Sequence, residues 1–537
     1  MKAECVPYSQ IPHTTKLFSD FLSYLPPIHQ FYPRSPYFLE WMKDEAVALR
    51  YDSDRRERVA SILQAQNQTF GSSAKTLDNI ARLRAGAAAV VTGQQVGLFG
   101  GPLYSIFKAL TAVKLADLAT QNGVDSVPVF WLATEDHDFA EINLAQLPGS
   151  DYSLQALRTT TNAIPDAPVG TVKFGEEIGS VVETAAGLLG DSEALTALRE
   201  SYQPGATFGS AYARFFARIF ADWGVILLDP SDSGFHDIAK PLFHAAIEKS
   251  AELDDALMAR GSQLEAAGYH QQVKVTPSST LLFAVRNGVR TPIHRGNHGS
   301  TEFLIGDEQL STADLLARIA DAPANFNPNV LLRPVIQDYL LPTLAYTGGS
   351  AEVAYFAQAA VVYQSLLGRI TPIIPRFSAT LVENKPRSLL DRYGLAFSDL
   401  FQGPDAAREL LAKKLLSHEV QTSFDSANTA VETSMTAIRN ALSALDTTLI
   451  DATDNAIAKM RHQLESLRSR AARAEVRQNE VITRKAQVLS NLLYPNKTLQ
   501  EREISGIYFV ARYGKGLLHD LYKCINADCL DHQVVTL

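Results

Sequence analysis

Two apolar runs, residues 87–92 and VPVFWLAT from Val127, flank a segment in which Leu103, Ile106, Phe107 and Leu110 recur at the three-, four- and seven-residue offsets of an amphipathic helix. Strand, crossover helix, strand is the βαβ unit, and a connection of this length makes the strands parallel and the crossover right-handed. Pro128 is tolerable near the start of such a strand. A helix AYARFFARIFADWG feeding VILLDP repeats the pattern after Ser210, and TPIIPRF from Thr371 is a fourth strand candidate. The expected fold is therefore α/β, with a Rossmann-like parallel sheet. Such sheets place ligand sites beyond the carboxyl ends of their strands, so the residues just after each run carry the search for function.

The 537-residue length allows several domains. We expect a core over 1–400, containing inserted subdomains at about 148–207 and 255–330, where polar, Gly- and Pro-containing stretches interrupt the pattern. Residues 1–85 read as mainly helical packing, broken early by Pro26, Pro27, Pro33 and Pro36. After Gly403 and Pro404 neither glycine nor proline recurs until Pro495, so the tract 405–494 reads as helical. Within it Val431, Met435, Ile438, Leu442, Leu445 and Leu449 alternate steps of four and three, as do Met460, Leu464, Leu467, Ala471 and Ala474. The two series fall out of phase near Asp446, Thr447 and Thr448, which suit a cap. Two arms of about 60 Å each, folded as an antiparallel coiled coil, are expected; a single rod is the alternative. Residues 495–537 are expected to pack back on the core.

A net charge of −9 disfavours a nucleic-acid partner, and no apolar stretch suits a signal peptide or a membrane span. A cytoplasmic protein is expected. Cys5, Cys524 and Cys529 are too few for a disulfide framework and read as reduced thiols.

The first run ends in TGQQVGLFGGP. Thr92, Gly93, Gln94, Gln95, Gly101 and Pro102 combine close backbone approach, amide side chains and a proline at the first position of a helix, whose free amides favour an anion. The glycines do not match GxGxxG, which argues against a nicotinamide dehydrogenase. The second run leads directly into Glu135, Asp136, His137 and Asp138. Buried together, the carboxylates would raise one another's pKa and favour a charged His137, a candidate acid or base; the alternative is a solvated loop with Asp138 capping the next helix. No second histidine at suitable spacing supports a metal site. A third stretch from Asn329 holds Arg333, Gln337, Asp338, Tyr346, Gly348, Gly349, Glu352 and Tyr355, its glycines and Ser350 reading as a turn and helix cap that form a second anion site. Arg376, Ser378, Lys385 and Arg387 are cations and a hydroxyl placed to offset phosphate, and His294 and His298 read as insert-loop residues.

At TGQQVGLFGGPLYSIFKA, PVFWLATEDHDFAEIN and LLRPVIQDYLLPTLAYTGGSAEVAYFAQ the chain resembles the BshC family of bacillithiol biosynthesis, a likeness that runs through VILLDPSD, the helical tract and the LYPN segment. The resemblance implies a core like the nucleotidyltransferase domain of class I aminoacyl-tRNA synthetases, connecting inserts, and a coiled coil that forms a homodimer. It also implies a cysteine ligase that joins the cysteine carboxyl to the amine of glucosaminyl malate in the last step of the pathway. ATP is the activating cofactor that the fold analogy suggests, although the HxGH and KMSKS signatures of that synthetase class are absent. Under this reading Thr92, Gly93, Gln94, Gln95 and the helix start at Pro102 bind anionic groups, while Glu135, Asp136, His137 and Asp138 hold amines and manage protons. Two other readings stand beside it: an adenylate-forming ligase acting on another small acid, and a non-catalytic metabolite sensor that works through its coiled coil.

Overall fold

The computed structural model describes residues 2–537 apart from 162–163, 297–301, 416–417, 479 and 528, together with the side chains outside 2, 415, 418 and 473–478. His298 lies outside the described residues.

Five parallel strands form the central sheet: β1 (Ala88–Gln94), β2 (Ser126–Leu132), β3 (Ile226–Leu228), β4 (Thr343–Gly348) and β5 (Ile373–Pro375). Their order is β5-β4-β1-β2-β3. Every residue of β2 is buried, as are all but the last of β1, because helices cover both faces. Alternate residues serve opposite cores: Ala89, Val91, Val127, Val129 and Trp131 join one cluster, whereas Ala88 and Val90 join a second and Phe130 and Leu132 a third. Helix α1 (Tyr104–Gln121) is the β1–β2 crossover, α2 (Phe208–Ile219) precedes β3, α3 (Ser233–Glu248) follows it, and α4 (Ser350–Leu367) follows β4.

The chain runs from β1 outward to β3 and then returns to the other side of β1 with β4. The order thus reverses between β1 and β4, and ligand crevices in open α/β sheets form at such a switch point. Strand β4 is absent from the sequence reading: TLAYTG is a short apolar run after Pro342, and periodicity alone does not separate a buried strand from a buried helix.

The inserts have their own structure. The first holds the hairpin Leu144–Pro148 and Leu154–Arg158 and helices Glu177–Leu189 and Glu193–Ser201. The second holds a five-stranded antiparallel sheet, in which His294 lies on strand Val289–Arg295 rather than in a loop. The opening of the chain is not helical throughout: strand Lys2–Val6 pairs antiparallel with His532–Thr536, which in turn lies parallel to Ala379–Val382. Between Pro495 and the last strand, Ile504, Ile507, Tyr508 and Leu518 share a core with Leu103, Ile106 and Phe107 of the α1 start.

The helical tract comprises α5 (Pro404–Leu415), α6 (His418–Leu445), α7 (Leu449–Gln478) and α8 (Glu480–Leu493). Asp446 Oδ1 accepts hydrogen bonds from the Thr448 amide and hydroxyl, both at 2.8 Å, and closes the turn between α6 and α7. Ion pairs Arg439–Asp454, Arg461–Glu432 and Arg468–Asp425 bridge the two helices, one member stepping down the sequence by seven as the other steps up. That is the register of an antiparallel pair. The seam is thin: Met435 is buried, but Ile438, Leu445, Met460 and Leu467 remain exposed.

Candidate active site

A cavity of about 510 Å³ opens beyond the carboxyl ends of β1, β2, β4 and β5. Gly93, Gln94 and Gln95 enter it from β1, Glu135, Asp136 and His137 from β2, Tyr346, Gly349 and Glu352 from β4 and α4, and Arg376 from β5. Arg333 lines it too, and the antiparallel insert closes over it with Phe283, Arg290 and Pro328. Gly93 is required by close approach: a Cβ there would stand 2.9 Å from the Trp131 carbonyl oxygen of the neighbouring strand.

One wall is fully saturated. Lys108 Nζ donates to the Gly93 carbonyl and to Gln94 Oε1, both at 2.8 Å, and pairs with Glu352 Oε2 at 2.6 Å. Glu352 also accepts from Tyr346 OH at 2.6 Å and from the Gly349 amide at 2.7 Å. Burial alone would push the Glu352 carboxyl up, but the Lys108 ammonium, together with the hydrogen bonds from Tyr346 and the Gly349 amide, outweighs it and holds the group below its ordinary range. These contacts tie the glycine loop to the N-terminus of α4. They also correct the second anion site: the N-cap is Gly349, and the chain's own Glu352 already supplies the negative charge at that helix start.

The opposite wall is half exposed. Asp136 accepts from Gln95 Nε2 and from the His137 amide, and Arg290 Nη1 stands 3.4 Å from Oδ1. His137 Nδ1 lies 3.0 Å from Arg290 Nη1 and 3.3 Å from Asp136 Oδ1. Because a guanidinium only donates and a carboxylate only accepts, Nδ1 accepts from Arg290 in the neutral ring and donates to Asp136 in the charged one. Both protonation states therefore have a partner at one nitrogen.

The acidic tetrad divides, contrary to a jointly buried cluster. Asp138 is exposed and caps the short helix Phe139–Ile142, its Oδ1 accepting from the Glu141 amide at 3.1 Å. Glu135 turns inward to His236 of α3, Oε1 to Nε2 at 2.6 Å, and accepts from Asn327 Nδ2 at 2.5 Å. His236 Nδ1 faces the Pro323 carbonyl at 3.0 Å and so carries a proton. Burial works against a charged imidazole, but the Glu135 carboxylate, with the Pro323 and Pro230 carbonyls, more than offsets it and lifts the His236 pKa to about 8.

Several other candidates fall outside the cavity lining. Thr92 Oγ1 donates to the Thr347 carbonyl at 2.8 Å and pins β1 to β4. The Gly348 carbonyl accepts from the Arg376 amide at 2.8 Å, between β4 and β5. The Gly101 carbonyl accepts from Ser505 Oγ and the Gly506 amide, Pro102 bridges to Ser505, and the Leu103 amide donates to Ile504. Residues 504–506 thus cover the α1 start, which is no open anion site. Lys385 lies over the Tyr152 ring, Arg387 pairs with Asp391, and Ser378 bonds Glu501.

Sequence reasoning missed Lys108, Arg290, Arg502 and His236. Lys108 had a signal, a cation set directly after the apolar Ile106 and Phe107 of α1. Arg290 and His236 had none, since each meets its partner only through tertiary packing. Among the described residues no carboxylate lies within ion-pair distance of Arg333, whose guanidinium donates to Tyr355 OH at 2.8 Å and to Gln337 Oε1 at 3.3 Å.

Fold and cavity together define a Rossmann-like α/β protein with a small-molecule site at the sheet's switch point. Residues 1–377 match the family described as bacillithiol biosynthesis BshC, N-terminal Rossmann-like domain, and residues 379–537 match its C-terminal coiled-coil domain. The chain belongs to the BshC family. It is 47% identical over all of both chains to a Koribacter versatilis protein named "Putative cysteine ligase BshC", and 36% identical, again over all of both chains, to one of that name from Solibacter usitatus. A Geobacillus thermodenitrificans protein of the same name is 29% identical over 98% of each chain. No helix among the described residues is long and apolar enough to cross a membrane.

Proposed function

We propose that this ligase joins the carboxyl of cysteine to the amine of glucosaminyl malate, the last step of bacillithiol biosynthesis. The observation that carries the reading is the half-exposed Asp136–His137 pair, held by the buried Arg290, which shares one cavity with Arg333. Amide formation makes a C–N bond and releases a proton from the attacking amine. Asp136 is the carboxylate that holds an ammonium group, and His137 takes the proton as the bond forms. Its Nδ1 changes partner from Arg290 to Asp136 as it does so. Arg333, without a carboxylate at ion-pair distance, suits a carboxylate or phosphate oxygen.

The carboxyl oxygen must depart, and ATP, when bound, supplies an activated leaving group. Arg333 and the exposed Arg502, which both line the cavity, would hold its phosphates. A reduced thiol substrate suits the cytoplasm. The exposed Ile438, Leu445, Met460 and Leu467 support pairing of the hairpin with a second copy; removal of residues 405–494 should then yield a monomer in sedimentation or an insoluble core, and an intact protein that sediments as a monomer would count against the dimer.

The test is incubation of the protein with cysteine and glucosaminyl malate, with and without ATP, reading adduct and nucleotide products by mass. Adduct in the complete mixture supports the reading. No adduct, together with unchanged bacillithiol in a deletion strain, overturns it.

A further inference from the structure

Cys5 and Cys529 are 524 positions apart in sequence, yet their sulfurs are 3.0 Å apart. Backbone pairing fixes this approach. Cys5 stands opposite Gln533 and Val6 opposite His532 in the antiparallel ladder, the Tyr8 amide donates to Asp531 Oδ1 at 3.2 Å, and the Cys529 amide donates to the Asn526 carbonyl at 3.2 Å. Both thiols are free; Cys5 is exposed and Cys529 half-buried. Cys5 forms part of a surface hollow of about 160 Å³ with Gln10 and Arg387. Neither sulfur lines the active cavity, so the ligase chemistry leaves the pair unused.

We propose that Cys5 and Cys529 form a thiol–disulfide exchange site whose oxidant is a low-molecular-weight disulfide. Cys529, as thiolate, attacks one sulfur of the external disulfide RSSR; the S–S bond breaks, a mixed disulfide forms on Cys529, and one thiolate leaves and takes up a proton. Cys5 then gives up its proton and attacks the Cys529 sulfur, which expels the second thiolate. Two protein thiols lose two electrons and two protons, and RSSR becomes two RSH. The sulfurs need to close by only about 1 Å to reach bonding distance. The same exchange can open from the exposed Cys5, because each sulfur stands 3.0 Å from the other and resolves whichever mixed disulfide forms. The product ties the edge strand Lys2–Val6 to the segment that precedes the last strand. It does not depend on the ligase reading.

The experiment treats the reduced full-length protein with cystine and maps its thiols by alkylation and peptide mass. The expected product has lost two hydrogens, yields one linked peptide pair containing Cys5 and Cys529, leaves Cys524 open to alkylation, and reverts with dithiothreitol. Cys524→Ser should leave the cross-link intact, and Cys5→Ser should stop at a stable cysteinyl adduct on Cys529. The wild-type map needs no variant to fold. Three alkylatable thiols after cystine treatment, or a link that includes Cys524, would overturn the proposal.

Discussion

The cavity rim and the helical hairpin both rely on ion pairs, but they set them in opposite surroundings. At the rim the side chains of Lys108 and Glu352 are 5% and 14% exposed, and those of Arg376 and Glu501 5% and 0%. In the hairpin Arg439 and Asp454 are 40% and 49% exposed. A buried charge that loses its partner stays buried, so each rim pair fixes where its neighbours sit. An exposed charge that loses its partner gains water, so the hairpin pairs set register at little energetic consequence. The rim is built to hold positions to a fraction of an ångström, and the hairpin to hold an alignment.

The largest test of this contrast is Lys108→Met. It strands Glu352 under the glycine loop, and we expect a loss of about 3–5 kcal/mol in denaturant unfolding. Glu352→Gln should cost less, because Tyr346 and the Gly349 amide retain an acceptor. The double variant should cost less than the two single losses combined, since removing both charges removes the stranded one. Strict additivity would break the comparison.

Next come the two rim residues that do not share this burial. His137→Ala should lower kcat by about 10²-fold, with unfolding stability changed by less than about 0.5 kcal/mol; Asp136→Asn should behave alike. A variant with full activity and an intact fold would take His137 and Asp136 out of the proton-handling and amine-holding roles proposed for them. Saturated Lys108 and half-exposed His137 thus mark a wall whose charges pair with one another and a wall open to solvent.

That division was only partly legible in the sequence. Periodicity exposed β1, α1, β2 and the hairpin because each presents a repeating apolar pattern to its own neighbours. Gln95 and Asp136 were recognisable as cavity residues because Gln95 directly follows β1 and Asp136 lies four residues past the end of β2. What was hidden is where side chains turn after the strand ends. Glu135 and Asp138 flank Asp136 and His137 in sequence, yet one is drawn into the core by His236 and the other caps a helix in solvent. The covering of Pro102 by residues 504–506 depends on a segment some 400 positions away, and no local rule reports such packing.

The Glu135–His236 pair sharpens the comparison through pH. Its folded pKa of about 8 lies above the ordinary 6.5, so its stabilisation is complete below pH 6.5 and is lost as pH rises through about 8. The groups that face it are the Glu135 carboxylate and the Pro323 and Pro230 carbonyls, with Arg290 acting on Glu135 from the insert. Thermal unfolding across that window should record a decline of about 2 kcal/mol. His236→Gln should flatten it, and a wild-type profile without the decline would show that the pair does not hold its proton.

The smallest effect belongs to the hairpin. Arg439→Ala removes one bridge between α6 and α7, and at this exposure the loss should be the smallest of the set, because water replaces the lost partner. It should shrink further in high salt, because the Debye length falls to about 3 Å at 1 M. Exchanging the charges, Arg439→Asp with Asp454→Arg, keeps the pairing and should recover most of the loss, whereas Arg439→Asp alone sets two acids across the seam and should cost more than Arg439→Ala. Helicity melts of the three variants measure the order directly. If the exchange recovered nothing, the seven-residue stepping of these pairs would be a consequence of the helix packing, and the apolar residues Met435 and Leu442 would carry the alignment alone.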